Sequence, residues 1–456
     1  MKVFELSQLW RPEGWLAPAF VSVGADGVVL GVTSQAPAEV SERFAGVALA
    51  GIPNLHSHAF QRAMAGLTER GSSSEDSFWS WREVMYRFVD RLEPEHIEAI
   101  AAWLYVEMLE AGYTSVAEFH YLHHDPRGAV YADPAQMSRR ILAAAEHAGI
   151  GLTLLPVLYA RSGFDAPATL PSQRRFASDV DFVLGLFESL HSSQPKSGQV
   201  RFGVAPHSLR AVSLPQFAAL VDGARAIAPD VPVHVHIAEQ LREVEDSLAS
   251  SGQRPVERLL AHVDVDAHFC LVHATHVTAP ELDGIVTRGA TVALCPTTEA
   301  NLGDGPAPVL ELLARSGAFG IGSDSHVCVC PAQELRSLEY VQRLLLRRRN
   351  VSCSAEEPSV ARTLISRALA AGAPALGRPV GALTPGSRAD FIVLDPNHPA
   401  LMERARDDVL DAWVFVAGSA AVRDVVVGGH AVVRGGRHVR RDELLSRYRA
   451  ALRQVL

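Results

Sequence analysis

The chain has 456 residues, 48% of them hydrophobic and 20% charged, a balance typical of soluble globular proteins and sufficient for one large domain with a smaller one appended. Its formal charge of −9 is opposite to the basic footprint of a nucleic-acid binder. No apolar stretch approaches the roughly 18 residues needed to span a bilayer, and the opening MKVFELSQLWRPEGW carries neither an uninterrupted apolar run nor a small-residue cleavage site behind one. Nucleic-acid and membrane partners are therefore not expected, and the expected location is the cytoplasm.

In chain order, residues 1–49 hold short β-like pieces, at 20–23 and 28–32, separated by the turn Gly24-Ala-Asp-Gly27. From about 50 to 381 the pattern alternates. Strand-like runs fall at 47–54, 114–119, 151–158, 201–205, 233–237, 269–273, 291–295 and 318–323. Helical periodicity lies between them, for example at 95–111, 136–148, 214–226 and 332–347. Residues 382–456 return to β character, with strands at 390–395 and 425–427 and a Gly428-Gly429 hairpin turn before 430–434. Eight strands alternating with helices, over somewhat more than the ~250 residues usual for the fold, predict an α/β (β/α)8 TIM-type barrel over 50–381. Residues 1–49 with 382–456 then form a small β-sandwich domain built from both chain termini. An open doubly wound sheet is the alternative, but no Gly-rich dinucleotide fingerprint follows an early strand. The five cysteines, Cys270, Cys295, Cys328, Cys330 and Cys353, are odd in number and sparse, as in a reducing compartment. Cys328-x-Cys330 has no second pair to close a structural zinc site, and structural thiols are expected.

Barrel enzymes carry their chemistry at the C-terminal ends of strands, and here the polar residues gather at those ends. His56 and His58 follow strand one, two apart, so both imidazoles can face one side. His236 lies on strand five with Glu239 three residues on, His273 ends strand six and Asp324 ends strand eight. His234 shares a face with His236 one rung deeper and is assigned to packing. A single histidine at such a position is more often a satisfied core residue than a ligand. Six titratable groups on one rim reverse that expectation. His56, His58, His236 and Asp324 make a mixed nitrogen and oxygen set suited to one divalent ion, Zn2+ first and Fe2+ as the alternative. Such an ion lowers the pKa of bound water from about 15.7 to about 7. Glu239 would move the proton, while His273 and Asp324 would orient water and stabilise developing charge.

His-Ser-His after strand one, His-Ile-Ala-Glu on strand five, the strand-six histidine and Ser-Asp on strand eight together resemble the amidohydrolase superfamily. The likeness spans nearly the whole chain, including Thr384-Pro-Gly-Ser-Arg-Ala-Asp-Phe-Ile-Val-Leu394. Binuclear members of that superfamily bridge two ions with a carboxylated lysine on strand four. Arg201-Phe-Gly-Val-Ala-Pro206 contains none and Lys196 precedes it, so the resemblance implies a mononuclear, deaminase-like site. The H-x-H-x-D-H class of metallohydrolases is ruled out by Phe60 and Gln61 at its required Asp and His positions.

The stretch Asn54-Leu-His-Ser-His-Ala-Phe-Gln-Arg-Ala-Met-Ala-Gly66 is similar to a narrower branch of the superfamily. So are Phe78-Trp-Ser-Trp-Arg82, Glu118-Phe-His-Tyr-Leu122, Ala205-Pro-His-Ser-Leu-Arg210 and His234-Val-His-Ile-Ala-Glu239. That branch hydrolyses N-formimino-L-glutamate to N-formyl-L-glutamate and ammonia in histidine degradation. Arg82 and Arg210 suit the two carboxylates of this small-molecule substrate through their guanidinium forks. Gln61 and Tyr121 offer neutral donors, and His207 would contact the substrate or the leaving group. Two alternatives remain: a deaminase of a purine or related aromatic base, against which the paired arginines argue, and an inactive scaffold, against which the complete ligand set argues. Relatives commonly pair, so a homodimer is one option for the assembly.

Overall fold

The computed structural model describes residues 1–69, 78–195 and 197–456. The polar loop at 72–74 and Lys196 lie outside the described residues. Among the described residues no helix is long and apolar enough to cross a membrane.

The barrel strands are Ile52–Ser57, Tyr113–His120, Gly151–Leu158, Val200–Phe202 continued at Ala205–Pro206, Val233–Ile237, Phe269–His273, Thr291–Leu294 and Phe319–Ile321. Strands one to four form one parallel sheet and five to eight another. The bridges Val204↔Val233 and Ser57↔Asp324 join the two into a closed ring. Several strands are buried at every position, including all of Tyr113–His120 and Gly151–Leu158. That is why Gly151–Leu158 reads as a nearly continuous apolar run instead of an alternating one.

The run predicted as one strand at 47–54 is two. Its first part ends a terminal-sheet strand, Glu42–Ala50, and its second begins barrel strand one at Ile52. Gly51 separates them, and a Cβ there would lie 2.2 Å from the Thr114 side chain. The chain can turn from one sheet into the other at this point because nothing projects from the backbone.

Strands from both termini interleave in one nine-stranded sheet, forming a mainly β domain beside the barrel. Glu42–Ala50 is its seam: it runs parallel to Lys2–Arg11 on one side and antiparallel to Phe391–Leu394 on the other. Phe4, Phe44 and Phe391 meet edge to face across that seam, with centroids 5.4 to 5.9 Å apart. The register against Lys2–Arg11 shifts between Leu6 and Gln8, a bulge that places Gly46 at φ +113 with its Cβ position 2.2 Å from the Leu394 carbonyl oxygen. Gly46→Ala is expected to destabilise the protein by more than about 1 kcal/mol through strain at that φ and contact. A melting temperature equal to that of the parent protein would show that the seam relaxes freely.

Helix Pro94–Ala111 begins on a proline and ends on Gly112 in the left-handed region. It packs on helices Gln136–Ala148 and Arg441–Val455 and on strand Val422–Val427, so it ties the barrel to the terminal sheet. This explains its near-total burial, where a surface helix would show one polar face.

Candidate active site

The strand ends converge as expected. His58, His236, Asp324, Glu239, His273, Gln61, Arg82, Tyr121, His207 and Arg210 all line one cavity at the C-terminal rim, and His56 lies fully buried beneath it. His234 points elsewhere, its Nε2 donating to the Ala375 carbonyl at 2.7 Å.

Three imidazoles meet at their Nε2 atoms. His56 Nε2 is 3.0 Å from that of His58 and 3.0 Å from that of His236. Asp324 Oδ1 lies 3.5 Å from His56 Nε2 and 3.4 Å from His58 Nε2. The protonation pattern follows from the neighbours. His58 Nδ1 faces the Phe119 carbonyl at 3.0 Å and His236 Nδ1 faces the His207 carbonyl at 3.1 Å. A carbonyl only accepts, so both Nδ1 atoms carry hydrogen. Burial lowers the pKa of all three histidines, His56 to about 3 with a further contribution from His58, so the rings are neutral. The Nε2 atoms of His58 and His236 are therefore lone pairs. His56 Nε2 can donate to only one of them, and it has the Asp324 carboxylate beside it. A cluster of lone pairs and a carboxylate without enough hydrogens fits a cation.

The next layer sets the ligands. Glu118 accepts from Ser57 Oγ at 2.6 Å, Ala59 N at 2.7 Å and Tyr105 Oη at 3.2 Å, clamping the turn that carries His56 and His58. Burial raises its pKa to about 7, against these three bonds. Asn54 bonds the Ser323 hydroxyl at 2.6 Å and accepts from Ser323 N at 3.1 Å, joining strands one and eight below the site. Left-handed backbone at residues other than glycine is concentrated here: Ala238, His273, Ala274, Asp324 and His326 have φ between 47 and 70. Such conformations cost of order 1–3 kcal/mol each and persist where surrounding contacts impose them.

His273 sits among three carboxylates. Its Nδ1 is 3.2 Å from Glu299 Oε1, and its Nε2 is 3.7 Å from Glu239 Oε1 and 3.9 Å from Asp324 Oδ2. Burial opposes charging this ring, but Glu239, Glu299 and Asp324 outweigh it and raise the pKa to about 10.

Arg210 was expected to hold a substrate carboxylate. It is already engaged with protein carboxylates, Nη2 bonding Glu239 Oε2 at 3.1 Å and Nε lying 3.5 Å from Glu243 Oε2. Glu243 also accepts from the backbone of Ala238 and Glu239 at 3.1 and 3.2 Å, which fixes the turn carrying Glu239. Arg82, on helix Phe78–Val89, lies over the Trp79 ring at 4.6 Å. Gln61 donates to Tyr121 Oη at 2.9 Å, which leaves its Oε1 buried without a partner. The second Nε2 hydrogen remains for a further acceptor. The His207 ring lies 4.9 Å from that of His236, and burial followed by Arg210 holds its pKa well below the usual value.

Sequence reasoning did not identify Glu118, Glu243 or Glu299 as supports, nor Tyr86, Tyr159, Trp81 and Phe176 as cavity walls. Glu118 was visible inside a motif. Trp81 was visible in the same way, and Glu243 lies only four residues beyond Glu239; Glu299, Tyr86, Tyr159 and Phe176 act across elements and left no local spacing to find. All five cysteines are free.

The model of the Amidohydrolase family matches residues 47–432. The chain is 51% identical over 427 residues to a formimidoylglutamate deiminase of Pseudomonas aeruginosa, covering 94% of this chain and 93% of the relative. Among solved structures it is similar to an amidohydrolase from Brucella melitensis, with TM-score 0.93, 46% identity and full coverage of both chains. An adenosine deaminase from Xanthomonas campestris with bound zinc shares the fold at TM-score 0.83 and 21% identity, over 99% of this chain and 98% of that one.

Proposed function

Since the chain belongs to the amidohydrolase family, we propose that it hydrolyses N-formimino-L-glutamate to N-formyl-L-glutamate and ammonia, a step of histidine degradation. One observation carries this reading. A cluster of three imidazoles and a carboxylate, with Glu239 beside it, shares one cavity with two guanidinium groups, Arg82 and Arg210. An amidine head and two carboxylates are the chemistry that such a cavity complements. The 51% identity to a formimidoylglutamate deiminase supports the same substrate.

His56, His58, His236 and Asp324 would hold one divalent ion, Zn2+ by the nitrogen-rich donor set and Fe2+ as the alternative. Bound there, such an ion supplies Lewis-acid activation of water. Glu239 takes the proton that the attacking water loses as its oxygen joins the formimino carbon. It delivers that proton to the imino nitrogen, leaving an amine and a hydroxyl on the tetrahedral carbon; the hydroxyl proton then passes through Glu239 to the amine, the carbon–nitrogen bond breaks, and ammonia leaves as the formyl carbonyl forms. The His273 ring faces the same space, its Nε2 between Glu239 and Asp324, and would orient the attacking water. The Arg210 bond keeps Glu239 aimed at the cavity while the guanidinium fork remains beside the substrate carboxylates.

The assay is ammonia release from N-formimino-L-glutamate against a panel of purines. Turnover of the amidine alone is the expected result. Phe78, Trp81 and Phe176 on the cavity wall favour a second reading, deamination of a purine or related aromatic base, and preferential turnover of a purine would replace the first. Arg210→Lys keeps the charge but removes the fork, and kcat/KM is expected to fall by about 10- to 100-fold with metal still bound. Because Arg210 touches Glu239, the loss should appear in kcat as well as KM. Kinetics equal to those of the parent enzyme would remove Arg210 from the site.

A further inference from the structure

Beyond the residues that sequence motifs single out, the cavity contains a pair of phenols with an enforced orientation. Gln173 is fully buried behind the wall. Its Oε1 accepts from Leu170 N at 2.8 Å, which sets which end of the amide points outward. Its Nε2 then donates to Tyr86 Oη at 2.9 Å and to Tyr159 Oη at 3.0 Å. Each phenol oxygen thus uses a lone pair on Gln173 and keeps its own O–H hydrogen for another acceptor. If one phenol donates to the other, the second still has a hydrogen for the cavity. Both rings line that cavity and are at most 7% exposed. Together the two hydroxyls therefore keep at least one hydrogen for an acceptor in the cavity.

Their place in the cavity indicates what they donate to. From the three-imidazole cluster the rings step outward: His236 to His207 at 4.9 Å, then His207 to Tyr159 at 4.7 Å. Tyr86 follows, joined to Tyr159 through Gln173, with the Arg82 guanidinium 5.7 Å from its ring. This end of the cavity therefore combines O–H donors with cations and lies two rings beyond the reacting end. Surrounding Phe176 and Met85 lower the local polarity and strengthen each such bond.

We infer that Tyr86 and Tyr159, oriented by Gln173, recognise the substrate's distal side-chain carboxylate and set the preference for an acidic over a neutral side chain. This inference rests on the reading of N-formimino-L-glutamate as substrate. Tyr86 and Tyr159 would touch that carboxylate, and Gln173 is a positioning residue acting through them.

The test compares N-formimino-L-glutamate with N-formimino-L-glutamine, which has the same shape but a neutral end, in the metal-loaded enzyme. In the Tyr86→Phe/Tyr159→Phe double variant the ratio of kcat/KM values, acid over amide, is expected to fall by about 10- to 100-fold, mainly through KM for the acid. Each single variant should fall between, and Gln173→Leu should shift the ratio in the same direction because the hydroxyls lose their orientation. A merely structural role would lower kcat for both substrates in parallel. A parallel loss of that kind, or an unchanged ratio in the double variant, overturns the inference. The starting enzyme separates the two failures. If it does not turn over N-formimino-L-glutamate, the functional reading fails; if it does and the double variant still discriminates fully, the tyrosine assignment alone fails.

Discussion

Glu239→Gln should reduce kcat by at least about 10²- to 10⁴-fold while leaving metal content and folding intact. The substitution is nearly isosteric, and the amide can still accept a hydrogen bond from Arg210 in place of the carboxylate bond at 3.1 Å. The backbone bonds from Ala238 and Glu239 to Glu243 do not involve the altered side chain, so the turn should hold. What the amide cannot do is take a proton from water and return it to the imino nitrogen. The surroundings make the distinction sharp: Glu239 is buried, with His273 Nε2 at 3.7 Å and Arg210 on its other oxygen. Stopped assays of ammonia release, paired with metal analysis of the same preparation, decide the matter. Activity within tenfold of the parent enzyme would assign the proton transfer to another group.

Stripping the metal with a chelator should abolish turnover, and one equivalent of Zn2+ or Fe2+ per chain should restore it. The Nε2 lone pairs of His58 and His236 and the carboxylate of Asp324 converge with too few hydrogens among them. Without a cation that arrangement is electrostatically unfavourable, so the stripped protein should also melt at a lower temperature. His236→Ala should reproduce the loss and prevent recovery at stoichiometric metal, because it removes one of the three imidazoles. Two tightly bound equivalents per active chain would overturn the mononuclear assignment. Full activity after exhaustive chelation would remove the metal from the reaction altogether.

Much of this was legible in the linear chain for a definite reason. In a parallel barrel each strand end faces the same rim, so His56 and His58, His236 with Glu239, His273 and Asp324 could be assembled from their positions after apolar runs alone. The strand boundaries at 151–158, 233–237 and 269–273 coincide with the structure, since short β-branched and apolar runs bounded by polar segments mark buried parallel strands. The division at Gly51 was not legible. The residues on both sides are apolar, and only the Thr114 side chain of a neighbouring strand reveals why a glycine is required.

The order of motifs along the sequence determined the barrel, its C-terminal rim and the candidate ligands, because each depends on local periodicity or on the fixed direction of parallel strands, while the two arginines came from the resemblance of short motifs to a known family. Tertiary structure alone decided what those side chains are bound to. It placed Arg210 against Glu239 across 29 residues, Glu299 against His273 across 26 and Gln173 against Tyr86 across 87. These partners lie on different elements, and no periodicity within one element records them. Protonation, tautomer and hydroxyl direction depend on burial and on the nearest acceptor. They arise only when the ring closes and brings those elements within hydrogen-bond distance.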